Sequence, residues 1–289
     1  MRKAKCHHHF FWDYSLLSTA KYLAFFSLKL PYEFNNREYL DQNLSPEQAQ
    51  TIMRLYEKLV SERLPVEYLT HEAHYLGRTF YVNEHVLVPR SLMNTRFEDF
   101  LKDIVWKNQR VLDLCTGSGC IGITLALLNT QIDVDLADIS QEALNVAEIN
   151  IDRYHLRERV ERIQSDLFSN INRKYDLIIS NPPYVTVKEH QHSPLEFKQE
   201  PVLALIGGQD GLDLIHRILQ QAKHYLNPQG TLIAEVGFSA AKRLKKYYPR
   251  LPFQWFTYRR PSGKKSFFDP QGVFRIKAQD LPGQEGEPR

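Results

Sequence analysis

Cysteine is scarce in this 289-residue chain, which holds only Cys6, Cys115 and Cys120. Thiols at those spacings form no disulfide framework and fit a reducing compartment. Neither sign of charge dominates, since 37 Lys and Arg face 34 Asp and Glu for a formal net charge of +3. That balance does not by itself argue for a nucleic-acid partner. Long apolar runs are also missing. Lys21 and Lys29 interrupt residues 14–30, so this stretch reads as an amphipathic helix with its charges outward, not a signal peptide or membrane span. A cytoplasmic protein without membrane contact is expected. His7, His8 and His9 stand behind Cys6, but three consecutive side chains diverge on either a helix or a strand. A solvated N-terminus is expected there, and no metal.

What is present is an ordinary globular composition, 43% hydrophobic and 25% charged, with room for one large domain and a small one. Residues 1–69 read helical. Ser45-Pro46-Glu47 offers an N-cap with Pro at the first helical position, followed by Ile52, Leu55, Tyr56 and Leu59 at helical spacing. The period then changes. Phe80, Val82, His85, Val86 and Val88 are β-type residues, and they predict a hairpin around Asn83-Glu84 within a linker spanning 70–95.

From Arg110 onward the chain alternates strand, turn and helix. Strands are expected at 111–114, 134–137, 160–163, 176–180 and 231–236, with helices at 121–128, 141–150 and 212–226. Such alternation predicts an α/β fold, a doubly wound and mostly parallel sheet with helices on both faces, over residues 96–289. Residues 254–258 and 272–276 read as a closing strand pair joined by a long basic turn. The Gly/Pro/Glu-rich tail after Asp280 is expected to be disordered.

Asp113-Leu114-Cys115-Thr116-Gly117-Ser118-Gly119 sits where the first of these strands meets its helix. Glycines there let backbone N–H groups and a helix N-terminus approach a ligand closely. Asp138 follows about 20 residues later at the end of the second strand, where an acid accepts hydrogen bonds from ribose hydroxyls. NAD and S-adenosylmethionine both suit that geometry. Two features favour S-adenosylmethionine. Asp113 is placed to face the ligand's amino group through water or a neighbouring backbone group. Ser165-Asp166-Leu167-Phe168 follows the third strand, where Asp166 can accept the adenine amino group and Leu167 can flank the ring.

Asn181-Pro182-Pro183-Tyr184 directly follows the buried strand Leu177-Ile178-Ile179-Ser180, at the carboxyl edge of the sheet. Paired prolines fix the backbone and remove donors, which leaves the Pro182 carbonyl as an acceptor. The Asn181 side-chain oxygen is a second acceptor. Together they can hold the two hydrogens of an –NH2 group while Tyr184 covers a planar target. The chemistry so implied is methylation of an amide or amino nitrogen.

At these residues the chain resembles the HemK family of protein-(glutamine-N5) methyltransferases. The likeness runs from about Leu64 through Leu64-Pro65-Val66-Glu67-Tyr68-Leu69, Phe80-Tyr81-Val82, Leu87-Val88-Pro89-Arg90-Ser91, Asp138-Ile139-Ser140, Glu200-Pro201, Gly207-Gly208-Gln209-Asp210-Gly211-Leu212 and Glu235-Val236-Gly237. Pro89-Arg90-Ser91 and Cys115-Thr116-Gly117-Ser118-Gly119 look like its PrmB branch, which acts on a glutamine of large-subunit ribosomal protein three, rather than the release-factor branch. The resemblance implies a class I, Rossmann-like seven-stranded sheet, a substrate-recognising helical domain (1–69), a β-hairpin linker (70–95) and a catalytic domain (96–289). It also implies that Asn181, Pro182, Pro183 and Tyr184 form the catalytic site, with Asn181 touching the cofactor as well. Leu92 and Thr95 depart from the branch, standing where Pro and an acid are expected in a loop bordering the cofactor and the incoming glutamine. Lys242, Arg243, Lys245, Lys246, Arg250, Arg259, Arg260, Lys264 and Lys265 lie in a stretch without acids, which either touches ribosomal RNA or is a solvated face. Three rival readings follow from the same residues: a release-factor glutamine methyltransferase, an adenine-N6 nucleic-acid methyltransferase, and a non-catalytic paralogue that docks on ribosomal particles.

Overall fold

Residue alternation in the central strands decides the architecture. In the computed structural model, which describes residues 16–30, 43–95, 97–101, 109–257 and 271–283, Leu112, Leu114, Ile178, Leu232 and Ala234 pack on one side of a sheet. Val111, Leu177, Ile179 and Ile233 pack on the other. Strands apolar on both faces need helices on both faces. The strands are β3 (Gln109–Leu114), β4 (Ile132–Asp138), β5 (Val160–Gln164), β6 (Tyr175–Ser180), β7 (Leu226–Glu235), β8 (Gln254–Thr257) and β9 (Gln271–Lys277). Their order is β5-β4-β3-β6-β7-β9-β8, with the first five parallel and β9 antiparallel to both β7 and β8. Helices α5 (Cys120–Leu128) and α6 (Gln141–Arg153) cover one face, and α8 (Asp213–Tyr225) and α9 (Phe238–Tyr247) the other, while α4 (Phe97–Leu101) and α7 (Val187–Gln191) are single short turns. The strand order reverses between β3 and β6, and ligands of open α/β sheets bind outside the carboxyl ends at such a point.

Ahead of this sheet lie helices α1 (Leu16–Ser27), α2 (Pro46–Glu62) and α3 (Val66–Thr70). Ser45 caps α2 in a capping box with Gln48, and Pro46 opens the helix as its sequence predicts. Leu23 and Phe25 of α1 are buried, and α1 packs on both α2 and α3.

The hairpin lies earlier than expected. It pairs β1 (Glu72–Tyr75) with β2 (Arg78–Tyr81). Leu76 at φ 48° and Gly77 at φ 71° make the turn, with both central residues left-handed as tight hairpins prefer. Asn83-Glu84 is not the turn. Val82, Val86 and Val88 are buried along an irregular segment, fastened by the Tyr68 hydroxyl donating to the Val86 carbonyl at 2.6 Å. Their β-type alternation came from burial without a partner strand. One asparagine on α6 joins the hairpin to the first strand's turn: fully buried Asn150 accepts from Tyr81 N–H at 2.7 Å and donates to the carbonyls of Tyr81 and Ser118.

Lys242, Arg243, Lys245 and Lys246 lie on helix α9, whose inner face Ala240, Ala241 and Leu244 bury. Arg259, Arg260, Lys264 and Lys265 lie outside the described residues. Past Asp280, Leu281 is buried in the core, and residues 284–289 lie outside the described residues.

Candidate active site

The turn between β3 and α5 is held from behind. Asp113 is fully buried, and its Oδ2 accepts from Thr116 Oγ1 at 2.7 Å and Gly122 N–H at 2.9 Å. Burial pushes its carboxyl up to about 7, against the pull of those two donors. Asp113 therefore braces the turn from beneath and does not line the cleft above it. Gly117 and Gly119 take left-handed φ values of 55° and 79°, which favour glycine. A side chain at Gly122 would meet Leu136 Cδ2 at 2.4 Å, so glycine there lets helix α5 sit against β4.

Above the turn is a cleft of about 600 Å³, lined among others by Thr116, Gly117, Ser118, Asp138, Asp166, Leu167 and Asn181. Asp138 Oδ2 accepts from Gly117 N–H at 2.9 Å, and Oδ1 accepts from Ser140 N–H at 3.0 Å. Each oxygen keeps a further lone pair for a hydroxyl pair. Leu167 is buried on the wall with φ 51°. Asp166, half-exposed, pairs with Arg217 of α8 at 2.9 Å. Arg217 lines the same cleft, yet nothing in the sequence distinguishes it from any other arginine on a helix surface.

Asn181, Pro183, Leu87, Arg90 and Ala204 line both this cleft and a smaller cavity of about 230 Å³, to which Pro182, Tyr184, Leu92, Phe197 and Glu235 also contribute. The tetrapeptide thus stands between two spaces. Asn181 Oδ1 is buried and has no hydrogen-bond partner. Among the described residues no group donates to the Pro182 carbonyl either. A buried acceptor lacking a donor, as Asn181 Oδ1 is, is costly unless a ligand satisfies it.

The smaller cavity is built by residues far apart in sequence. Glu235, at the end of β7 and almost fully buried, accepts from the Tyr184 hydroxyl at 2.9 Å, Ser91 Oγ at 2.5 Å and Leu92 N–H at 2.9 Å. Burial pushes its carboxyl up to about 7. Buried Glu200 accepts from Arg90 Nη2 at 2.6 Å and Val88 N–H at 3.0 Å, and the Arg90 guanidinium lies over the Phe197 ring at 4.6 Å. These contacts tie Pro89-Arg90-Ser91 to Glu200-Pro201 and Glu235-Val236-Gly237. The Leu92 side chain fills space that a β-carbon at Gly272 of β9 would otherwise take, at 2.3 Å. Thr95 ends the 3₁₀ turn Leu92–Thr95. Cys6 and His7 to His9 lie outside the described residues.

Comparison with known proteins places this arrangement in a family. The chain is 39% identical over 269 residues to the ribosomal protein uL3 glutamine methyltransferase of Neisseria gonorrhoeae, covering 92% of this chain and 87% of the relative. It is 36% identical over 278 residues to the protein of that name from Burkholderia pseudomallei, with the same coverage of both. The chain belongs to this glutamine methyltransferase family. Residues 94–197 also match the Methyltransferase small domain family. Among solved structures, the catalytic domain of hMettl16 superposes with a TM-score of 0.58 at 14% identity, covering 94% of this chain and 95% of that one. A human methyltransferase 10 domain-containing protein gives 0.50 at 15% identity, covering 70% and 89%. Both likenesses are of fold.

For this methyltransferase the methyl donor is S-adenosylmethionine, and the cleft suits it. Open space lies above Gly117, and Asp138 offers paired acceptors. No helix among the described residues is long and apolar enough to cross a membrane.

Proposed function

We propose that this enzyme methylates the N5 amide nitrogen of a glutamine in a large-subunit ribosomal protein, of the kind its relatives' names identify as uL3. The observation that carries the reading is the buried, partnerless Oδ1 of Asn181 at the junction of the two cavities. When bound, S-adenosylmethionine supplies an electrophilic methyl group on a sulfonium. Asp138 would hold the ribose hydroxyls, Leu167 and Asp166 the adenine, and Thr116, Gly117, Ser118 and Gly119 the turn around the remainder. Asp113 serves this site as the brace of that turn.

On the acceptor side, Asn181 Oδ1 and the Pro182 carbonyl would take the two amide hydrogens, with Pro183 fixing the backbone and Tyr184 closing the side of the cavity. An amide nitrogen is a poor nucleophile because its lone pair is delocalised. Orientation and stabilisation of the charge developing on nitrogen therefore supply the rate, without a strong base. Leu92, accommodated by Gly272, leaves the cavity wall intact, which supports catalysis over a docking-only role. Incubating the protein with purified uL3 and labelled cofactor tests the reading: label in uL3 that disappears with Asn181→Ala is expected, and undiminished labelling by that variant would overturn the mechanism.

The wider assignments rest on the same reading. Residues 1–69 would recognise the protein substrate, 70–95 would link, and 96–289 would catalyse in the cytoplasm. Arg63 at the end of α2 pairs with Glu196 at 2.6 Å, which connects the helical region to the segment carrying Phe197. Exposed Lys242, Lys245, Lys246 and Arg250 form a basic face suited to ribosomal RNA.

A further inference from the structure

The smaller cavity contains a carboxylate that the methyl-transfer reading does not use. Glu235 reaches it from the end of β7 and receives donors from two segments remote from each other: Tyr184 after β6, and the Ser91–Leu92 turn after the hairpin. Three of its acceptor positions are filled, and Oε1 has one more. The polar lining near it is acceptor-rich, because Asn181 Oδ1 is unpartnered and Arg90, the one cation among the described residues lining the cavity, is engaged by Glu200.

The reaction makes such a wall consequential. A side-chain carboxylate is isosteric with the glutamine amide and a better nucleophile toward a sulfonium methyl. Attack by its oxygen would form an O–CH3 bond as the S–CH3 bond breaks, yielding a methyl ester. Shape alone cannot separate two isosteres; charge and hydrogen-bond polarity can.

We propose that Glu235 is a positioning and specificity-determining residue, holding Tyr184 and the Ser91–Leu92 turn on two walls of the acceptor cavity and making that cavity favour a neutral amide over a carboxylate. This rests on the glutamine-amide reading above. The ionised form repels an anionic side chain, so rejection strengthens as Glu235 loses its proton. The groups that face Glu235 are the Tyr184 phenol, held protonated chiefly by burial, Ser91, and Tyr75 of β1, likewise held protonated chiefly by burial. Arg90 lines the same cavity. None of these replaces the negative charge that Glu235 provides.

The test uses the full chain saturated with S-adenosylhomocysteine. Calorimetry would compare uL3 with its variant carrying Gln→Glu at the methylated position, identified beforehand by mass spectrometry. Glu235→Gln should weaken binding of the glutamine protein and strengthen binding of the glutamate protein, narrowing their ratio by about tenfold, the scale of one lost charged interaction. General damage to the fold would weaken both. In the unsubstituted enzyme the ratio should grow as pH rises through about 7, where Glu235 titrates, and in Glu235→Gln it should stay flat. If Glu235→Gln fails to fold, Ser91→Ala and Tyr184→Phe serve instead. Each removes a hydrogen bond that lowers the Glu235 pKa, so the midpoint should move to higher pH. A ratio unchanged by substitution and by pH overturns the inference while leaving the glutamine reading intact. Failure of the enzyme to methylate uL3 at all overturns both.

Discussion

The larger cleft and the smaller cavity meet at Asn181 but are made in opposite ways. The cleft's floor comes from one short stretch of chain, in which Thr116 and Gly122 both donate to Asp113 within ten residues, and Asp138 adds one partner from the neighbouring strand. The cavity's walls are drawn from the hairpin linker, the loop after β6, the 3₁₀ turn Leu195–Gln199 and the end of β7, held by bonds such as Ser91–Glu235 and Arg90–Glu200. A cofactor common to many enzymes can be held by a local motif. An acceptor particular to one reaction is framed by tertiary contacts, where changes at separate positions can reshape it.

Substitutions on the two sides should separate these roles. Asn181→Ala should lower kcat by about 100-fold or more, as removal of one oriented polar group does elsewhere, while S-adenosylhomocysteine affinity measured by calorimetry stays near that of the unsubstituted protein. A parallel fall in both would erase the distinction between the two spaces. Gly122→Ala attacks the other side. With Leu136 Cδ2 at 2.4 Å from the added methyl, overpacking should cost about 1–3 kcal/mol in chemical denaturation and weaken cofactor binding. A neutral result would mean that the turn needs no such tight seat.

A third measurement addresses the buried acids behind each space. Asp113 and Glu235 both have folded pKa values raised to about 7. Between the unfolded carboxylate range and about 7, each holds more proton folded than unfolded, so its contribution to stability falls as pH rises and levels off above 7. The slope approaches about 1.4 kcal/mol per pH unit for each group. Urea denaturation from pH 5 to 7 should show that decline, and Asp113→Asn should flatten part of it. An identical slope in the variant would show that Asp113 does not titrate there. The smallest effect belongs to Arg217→Ala. Its pair with Asp166 is half-exposed, so cofactor affinity should change by less than about 1 kcal/mol, and by less still in high salt.

The same contrast explains what could be read from the sequence. Alternation in residues 110–236 predicts the parallel strands and their helices because both faces of that sheet are buried, and the glycine turn is legible because its constraints are local. The hairpin is misplaced on Asn83-Glu84 because Val82, Val86 and Val88 alternate like a strand while packing as an irregular segment. Helix α9 escapes notice since small Ala240 and Ala241 carry much of its buried face beneath conspicuous lysines. Glu235 is visible as part of a shared motif, but its junction with Ser91, some 144 residues away, follows only from the fold.

Asn150 has a consequence for how the molecule breathes. By bonding Tyr81 and the Ser118 carbonyl at once, it ties the hairpin to the glycine turn. Ligand fastened over the turn therefore taxes every opening of the hairpin, and the amide proton of Tyr81, outside the cleft, should exchange with solvent more slowly once the cleft is filled.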